Sequence, residues 1–140
     1  MIHPSKIIKE LGIAPLKKLG QNFQVDVHAV ENVAAQIQPG ARVLEIGPGL
    51  GAWTEVFLSR GHEMVLVEKD RTLARRLREV YATNPKVVIF EGDFLEMPVD
   101  TDPFTACTAA IGNLPFYVTA DLLLRIVFDA PQIRQRSEER

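Results

Sequence analysis

Apolar positions along the chain alternate between helical spacing and short continuous runs. After an irregular opening through residue 24, punctuated by Pro4, Gly12, Pro15 and Gly20, Asp26 stands where a helix N-cap belongs. Val27, Val30, Ala34 and Ile37 then fall on one helical face and stop at Pro39-Gly40. Arg42-Val43-Leu44-Glu45-Ile46 predicts a strand that runs into Gly47-Pro48-Gly49-Leu50-Gly51. A helix from Ala52 to Arg60 follows, closed by Gly61 as the residue after its C-cap. Glu63-Met64-Val65-Leu66-Val67 predicts a second strand ending at Glu68. Asp70 is placed to cap the next helix, on which Leu73, Leu77, Val80 and Tyr81 share a face before Thr83-Asn84-Pro85 ends it.

Val87-Val88-Ile89-Phe90 predicts a third strand ending near Asp93, and the apolar run from Cys107 to Ile111 a fourth. Beyond it, Thr119 is positioned to cap a helix with Ala120, Leu123, Leu124, Val127 and Phe128 inward, stopped by Pro131. Strands alternating with helices predict an α/β domain with a parallel sheet and a ligand at the carboxyl ends of the strands.

Composition narrows the field without naming a function. The 140 residues suffice for one domain, and 46% hydrophobic with 24% charged residues is ordinary for a soluble globular protein. No apolar run approaches the roughly 18 residues that span a bilayer, and the first six residues lack the apolar stretch of a signal peptide, so a cytoplasmic location with no membrane contact is expected. Cys107 is the sole cysteine and sits in an apolar run, which suits a small core residue. His3, His28 and His62 lack metal-ligand spacing, so no metal site is expected. The net charge of −2 is unevenly spread: residues 1–20 carry +3 through Lys6, Lys9, Lys17 and Lys18 against one acid, leaving −5 on the remainder. Arg71, Arg75, Arg76 and Arg78 form a second basic cluster; contact with phosphates and simple solvation both suit such groups.

Four candidate binding elements stand at the ends of four consecutive strands. Gly47 and Gly49 allow close backbone approach to a ligand, and Gly51 allows the next helix to start tightly packed. The G-x-G-x-G spacing differs from the G-x-G-x-x-G dinucleotide fingerprint. Glu68, 21 residues after Gly47, is where a carboxylate can take both hydroxyls of a ribose. Asp93 can accept from an adenine amino group or cap the short segment Phe94-Leu95-Glu96. Asn113-Leu114-Pro115-Phe116 is either a turn with one apolar anchor or a clamp for a planar amino group. In the clamp, the Asn amide and a backbone carbonyl beside the rigid Pro accept hydrogen bonds while the ring stacks on a base.

Gly20-Gln21-Asn22-Phe23, Glu45-Ile46-Gly47-Pro48-Gly49-Leu50-Gly51, Glu68, Asp93 and Gly112-Asn113-Leu114-Pro115-Phe116 together resemble the ribosomal RNA adenine N6-dimethyltransferase family of the KsgA type. The resemblance runs from about Lys17 to about Pro131; the Erm-type enzymes, which modify an adenine of large-subunit rRNA, share much of the pattern. It implies a Rossmann-like class I methyltransferase fold with S-adenosyl-L-methionine as cofactor. It further implies that Asn22 and the backbone at Gln24 close over the methionine end, that Gly47 and Gly49 pass beneath the cofactor, and that Glu68 holds the ribose and Asp93 the adenine. Asn113 would lie between cofactor and target base, with Leu114, Pro115 and Phe116 completing the catalytic loop. Gln24 stands where the family usually has an aliphatic residue, and Phe116 where Tyr is commoner.

The activity so implied is transfer of methyl groups to N6 of adenosine in small-subunit ribosomal RNA, with the small ribosomal subunit as partner and a monomeric enzyme. On this reading residues 1–40 are an arm and helix and residues 41–140 a partial cofactor-binding domain, truncated after the fourth strand region. The later strands and the helical C-terminal domain of relatives are then absent, which leaves strand four without a neighbour. The alternative is a cofactor-binding remnant without methyltransferase activity. An NAD-dependent dehydrogenase shares the strand-end glycines and acid but leaves the Gln-Asn-Phe and Asn-Leu-Pro-Phe segments unexplained. Small-molecule methyltransferases usually lack the latter loop.

Overall fold

The computed structural model of the chain describes residues 27–113, 132–133 and 135–139. Its elements run α1 (Val27–Gln36), β1 (Arg42–Ile46), α2 (Ala52–Ser59), β2 (Glu63–Glu68), α3 (Arg71–Val80), β3 (Val87–Glu91), β4 (Ala109–Asn113) and β5 (Gln135–Glu139). Two 3-10 turns, Phe94–Glu96 and Phe104–Ala106, lie between β3 and β4. The strands form one sheet in the order β3-β2-β1-β4-β5, every neighbouring pair parallel. This is the Rossmann-like α/β arrangement that the alternating pattern predicts.

Strand period places neighbouring residues on opposite faces, and the core divides accordingly. On one face Val43, Met64, Leu66, Ala109 and Ile111 pack with Val30 and Ala34 of α1, Trp53, Val56 and Phe57 of α2, and Leu77 and Tyr81 near the end of α3. On the other face Leu44, Ile46, Val65, Val67 and Ala110 meet Phe94, Phe104, Cys107 and Ile133. Each central strand is therefore apolar on both sides, which explains why β1, β2 and β4 read as short continuous apolar runs.

The helices begin and end where local chemistry dictates. Asp70 has extended backbone and its Oδ1 accepts from the Leu73 amide at 2.9 Å, the expected cap of α3. Gly61 takes the left-handed conformation after α2, at φ 86°. Two apolar positions depart from the expected faces: Val80 is 47% exposed and Val27 43%. Ala74 takes the inward place instead of Val80, so α3 buries Leu73, Ala74 and Leu77, with Tyr81 at its C-cap. Both valines sit at helix ends, where the buried stripe has already turned away from solvent-facing residues.

The larger correction concerns the last residues. The sequence reading leaves strand four without a neighbour, yet Gln135–Glu139 forms β5 in parallel register with β4, from Ala109 opposite Gln135 to Asn113 opposite Glu139. Among the described strands β5 stands last in the sheet, with β4 as its neighbour. The expected helix from Thr119 and the N-terminal arm lie outside the described residues.

Candidate functional site

Strand order reverses at β1: β2 and β3 lie to one side and β4 to the other, so the carboxyl ends of β1 and β4 flank a crevice. Register aligns the candidate residues along it. Ile46 pairs with Gly112, which places Gly47 and Asn113 next along adjacent strands. Ile46 also pairs with Val67, the Gly47 amide bonds to the Val67 carbonyl at 2.9 Å, and the Gly92 amide bonds to the Glu68 carbonyl at 2.9 Å. Gly47, Glu68, Gly92-Asp93 and Asn113 thus form one row across four neighbouring strands.

The glycine turn needs glycine. Gly47, Gly49 and Gly51 have φ of 71°, 60° and 83°, the left-handed region that other residues enter only under strain. Their surroundings differ in an informative way. A Cβ on Gly51, the N-cap of α2, would meet Tyr81 Oη at 3.2 Å and Leu77 Cδ2 at 3.4 Å, so this glycine allows α2 and α3 to approach. A Cβ on Gly49 would meet nothing within 4 Å. Among the described residues Gly49 therefore faces open space, which leaves its backbone accessible at the strand ends.

Glu68 ties this turn to β2. Its Oε1 accepts from the Gly49 amide and its Oε2 from the Asp70 amide, both at 2.9 Å, with the residue only 4% exposed. Burial raises its pKa, while the two backbone amides oppose that rise by stabilising the charged form. A carboxylate offers about four lone-pair sites, so acceptor capacity remains beyond these two bonds.

Asp93 performs the capping role among its two expected alternatives: Oδ1 accepts from the Leu95 amide at 3.0 Å. Its Oδ2 lies 3.5 Å from Nζ of exposed Lys69 and the side chain stays partly exposed, so the second oxygen sits at the rim in an ion pair. Asn113 ends β4 beside this row. Asn22, Gln24, Leu114, Pro115 and Phe116 lie outside the described residues. Among the described residues no group of three or more His, Cys, Asp or Glu could hold a metal, and no helix is long and apolar enough to cross a membrane.

Beneath the row, the first residue of the glycine-turn motif pairs with a residue outside it. Glu45, 3% exposed, accepts a 2.5 Å hydrogen bond at Oε1 from the hydroxyl of Thr54, itself fully buried in α2. Burial raises the Glu45 pKa to about 7, Thr54 pulls it back, and the nearby Glu68 adds a further upward push. The available signal is an acid within the apolar run of a central strand, on the same face as Val43. A second link, from the Tyr81 hydroxyl to Glu55 Oε1 at 2.6 Å, joins the C-cap of α3 to α2 behind the turn.

The sequence profile of the family described as ribosomal RNA adenine dimethylase matches residues 16–138. The chain belongs to this family. Among curated members, it is 37% identical over 136 residues to ribosomal RNA small subunit methyltransferase A of Pelotomaculum thermopropionicum, covering 89% of this chain and 46% of that protein. The protein of the same name from Chlorobaculum parvum is 37% identical over 121 residues, covering 85% and 43%. The chain thus spans a little under half the length of these adenine dimethylase relatives. Among solved structures, the 23S rRNA methyltransferase ErmE superposes with a TM-score of 0.69 at 29% identity, covering 84% of this chain and 47% of that one. An RNA methyltransferase from Salinibacter ruber in complex with S-adenosyl-L-homocysteine, at 17% identity and a TM-score of 0.60, shares the fold, covering 74% and 68%.

Proposed function

We propose that this chain carries the cofactor-binding part of an S-adenosyl-L-methionine-dependent enzyme that methylates N6 of adenosine in small-subunit ribosomal RNA. The observation that carries the reading is the single row formed by the glycine turn, Glu68, Asp93 and Asn113 at the strand ends. Membership of the adenine dimethylase family and the names of its small-subunit relatives supply the substrate.

The residues fit the cofactor. The open side of Gly49 admits a ligand against bare backbone, and Glu68 retains acceptor capacity for ribose hydroxyls. Asp93 Oδ2 can accept from the adenine amino group, and Asn22 with the Gln24 backbone would cover the methionine end. When bound, the cofactor supplies a methyl already activated on a sulfonium, so the protein's contribution is positioning and electrostatics.

Adenine N6 is a weak nucleophile because its lone pair is delocalised into the ring. Acceptance of its N–H bonds by the Asn113 side chain and the Leu114 or Pro115 carbonyl favours a more pyramidal nitrogen, with the lone pair freed for attack. Phe116 stacks on the flipped base, worth roughly 1–3 kcal/mol. No strong general base is required.

The test replaces Asn113 with Ala and separates binding from transfer. Calorimetry with S-adenosyl-L-methionine is expected to show little change, while transfer of labelled methyl to unmodified small subunits falls by on the order of a hundredfold or more, as for loss of a key positioning group. Near-wild-type transfer by the variant refutes the Asn113 role. A second reading is cofactor binding without transfer by these 140 residues. Cofactor binding by the wild-type chain with no labelling of subunits supports that reading instead.

A further inference from the structure

The sequence from Lys69 to Arg78 holds five basic residues and one acid in a chain whose net charge is −2. On α3, Arg71, Arg75 and Arg78 recur at intervals of four and three, which places them along one flank of the helix. All three are exposed, on a flank that borders the face burying Leu73, Ala74 and Leu77. Arg78 Nη1 is held by Glu91 Oε1 of β3 at 3.0 Å. Among the described residues, Arg71 and Arg75 have no ion-pair partner. Of the neighbouring acids, Asp70 caps α3, Glu91 holds Arg78 and Asp93 lies beside Lys69, while exposed Glu79, four residues after Arg75, forms no ion pair among the described residues. The N-terminal arm carries a net +3 and cannot neutralise this flank by charge.

Position gives the flank its meaning. The turn that starts α3 is the one whose Asp70 amide is bound by Glu68, so Arg71 stands three residues beyond the strand-end acid of the candidate site. A helix rising about 1.5 Å per residue carries the stripe about 10 Å from Arg71 to Arg78. We propose that Arg71 and Arg75, continued by Arg78, form a track that holds backbone phosphates of the RNA whose adenosine enters the site. This deepens the proposed function and rests on it. Guanidinium groups suit the task because their planar fork pairs bidentately with phosphate oxygens. Phosphate contact positions a strand without reading its sequence, so the track sets orientation at the site and leaves base choice to the loop that begins at Asn113.

The test compares the 140-residue chain with three variants: R71Q/R75Q, R71K/R75K and K86Q. Lys86 is exposed and precedes the amino end of β3, far from the strand-end row, so K86Q controls for a general charge effect. Binding to protein-free small-subunit ribosomal RNA is measured by filter retention between about 50 and 200 mM salt. Losing two phosphate contacts lowers the slope of log K against log salt by about 1.4 to 1.8 and weakens binding on the order of tenfold. R71Q/R75Q is expected to show that loss, with circular dichroism and S-adenosyl-L-methionine binding unchanged. R71K/R75K is expected to retain the slope, because a point charge still releases counterions, and K86Q to behave as wild type.

An unchanged slope in R71Q/R75Q overturns the track, as does an equal loss in K86Q or a wild-type chain that does not retain this RNA. If the double variant loses binding only to anionic phosphatidylglycerol vesicles, the flank belongs to a membrane surface and the proposal also fails. None of these outcomes touches cofactor binding; a wild-type chain that fails to bind S-adenosyl-L-methionine refutes the underlying reading instead.

Discussion

Replacing Glu45 with Gln should remove a pH dependence of stability that the wild-type chain carries at the base of the site. The carboxyl is fully buried against the Thr54 hydroxyl, and burial raises its pKa from the ordinary 4.5 to about 7. Between those values the folded protein keeps a proton that the unfolded chain releases. Glu45 therefore contributes stability that is fully present below about pH 4.5 and is lost as pH rises towards 7. With each unit worth about 1.4 kcal/mol, the loss totals about 3 kcal/mol. The amide introduced by E45Q keeps an acceptor for Thr54 and cannot ionise. Its extra hydrogens impose an offset that does not vary with pH, so the slope is the informative quantity.

Urea unfolding followed by circular dichroism, without cofactor, at intervals from about pH 4.5 to 8 provides the measurement. The difference between the two proteins should move in favour of E45Q by about 3 kcal/mol across that window and then level off. Glu68 also has a raised pKa and acts in the same direction; its burial is common to both proteins, so only its repulsion with Glu45 enters the difference. Parallel pH profiles for wild type and E45Q would refute the assignment of a proton to Glu45 in the folded state.

The glycine turn offers a paired comparison. Gly51→Ala forces a left-handed residue against Tyr81 and Leu77 and should lower unfolding free energy by about 1–2 kcal/mol or more, read as a lower urea midpoint. Gly49→Ala carries similar backbone strain without a steric neighbour, so its distinctive effect should be weaker S-adenosyl-L-methionine binding by calorimetry; unchanged affinity argues against a ligand over that turn. Asp70→Ala removes the cap of α3 and should cost about 1 kcal/mol in the same unfolding assay. Cys107 is buried with its thiol pushed up to about 12, so labelling by a disulfide reagent at about pH 8 should be slow in the native protein and track unfolding as urea is added.

What the chain discloses before folding, and what it withholds, follows from the range of the interactions involved. Glycines at 47, 49 and 51 are legible because a positive φ is a property of one residue's backbone. Asp70 is legible because its cap reaches only as far as Leu73. Strand β5 is illegible for the opposite reason: its existence rests on pairing with the distant β4, and its polar sequence carries no strand rhythm of its own. Val80 escapes its expected face because its inward or outward position turns on where the buried stripe of α3 ends. The Glu45–Thr54 bond joins residues nine apart on different elements, and the motif that begins at Glu45 ends before Thr54.

Glu68 shows why the site and the fold cannot be separated into scaffold and function. Its two oxygens already join the glycine turn after β1 to the first residues of α3, so the carboxylate has a structural role whatever it binds. Shortening it to Asp, a common strand-end acid, would withdraw the carboxylate by one methylene from both amides. The Gly49 turn would then lose its tether as well as the ligand's partner. Affinity lost at this position therefore cannot be assigned to the ribose contact alone. The cleaner reporter of the proposed ligand contact is Gly49, where an added Cβ would meet nothing within 4 Å among the described residues. Comparison of the two positions separates holding the loop from the proposed ligand contact, because the Glu68 side chain holds the turn and a Cβ at Gly49 would not.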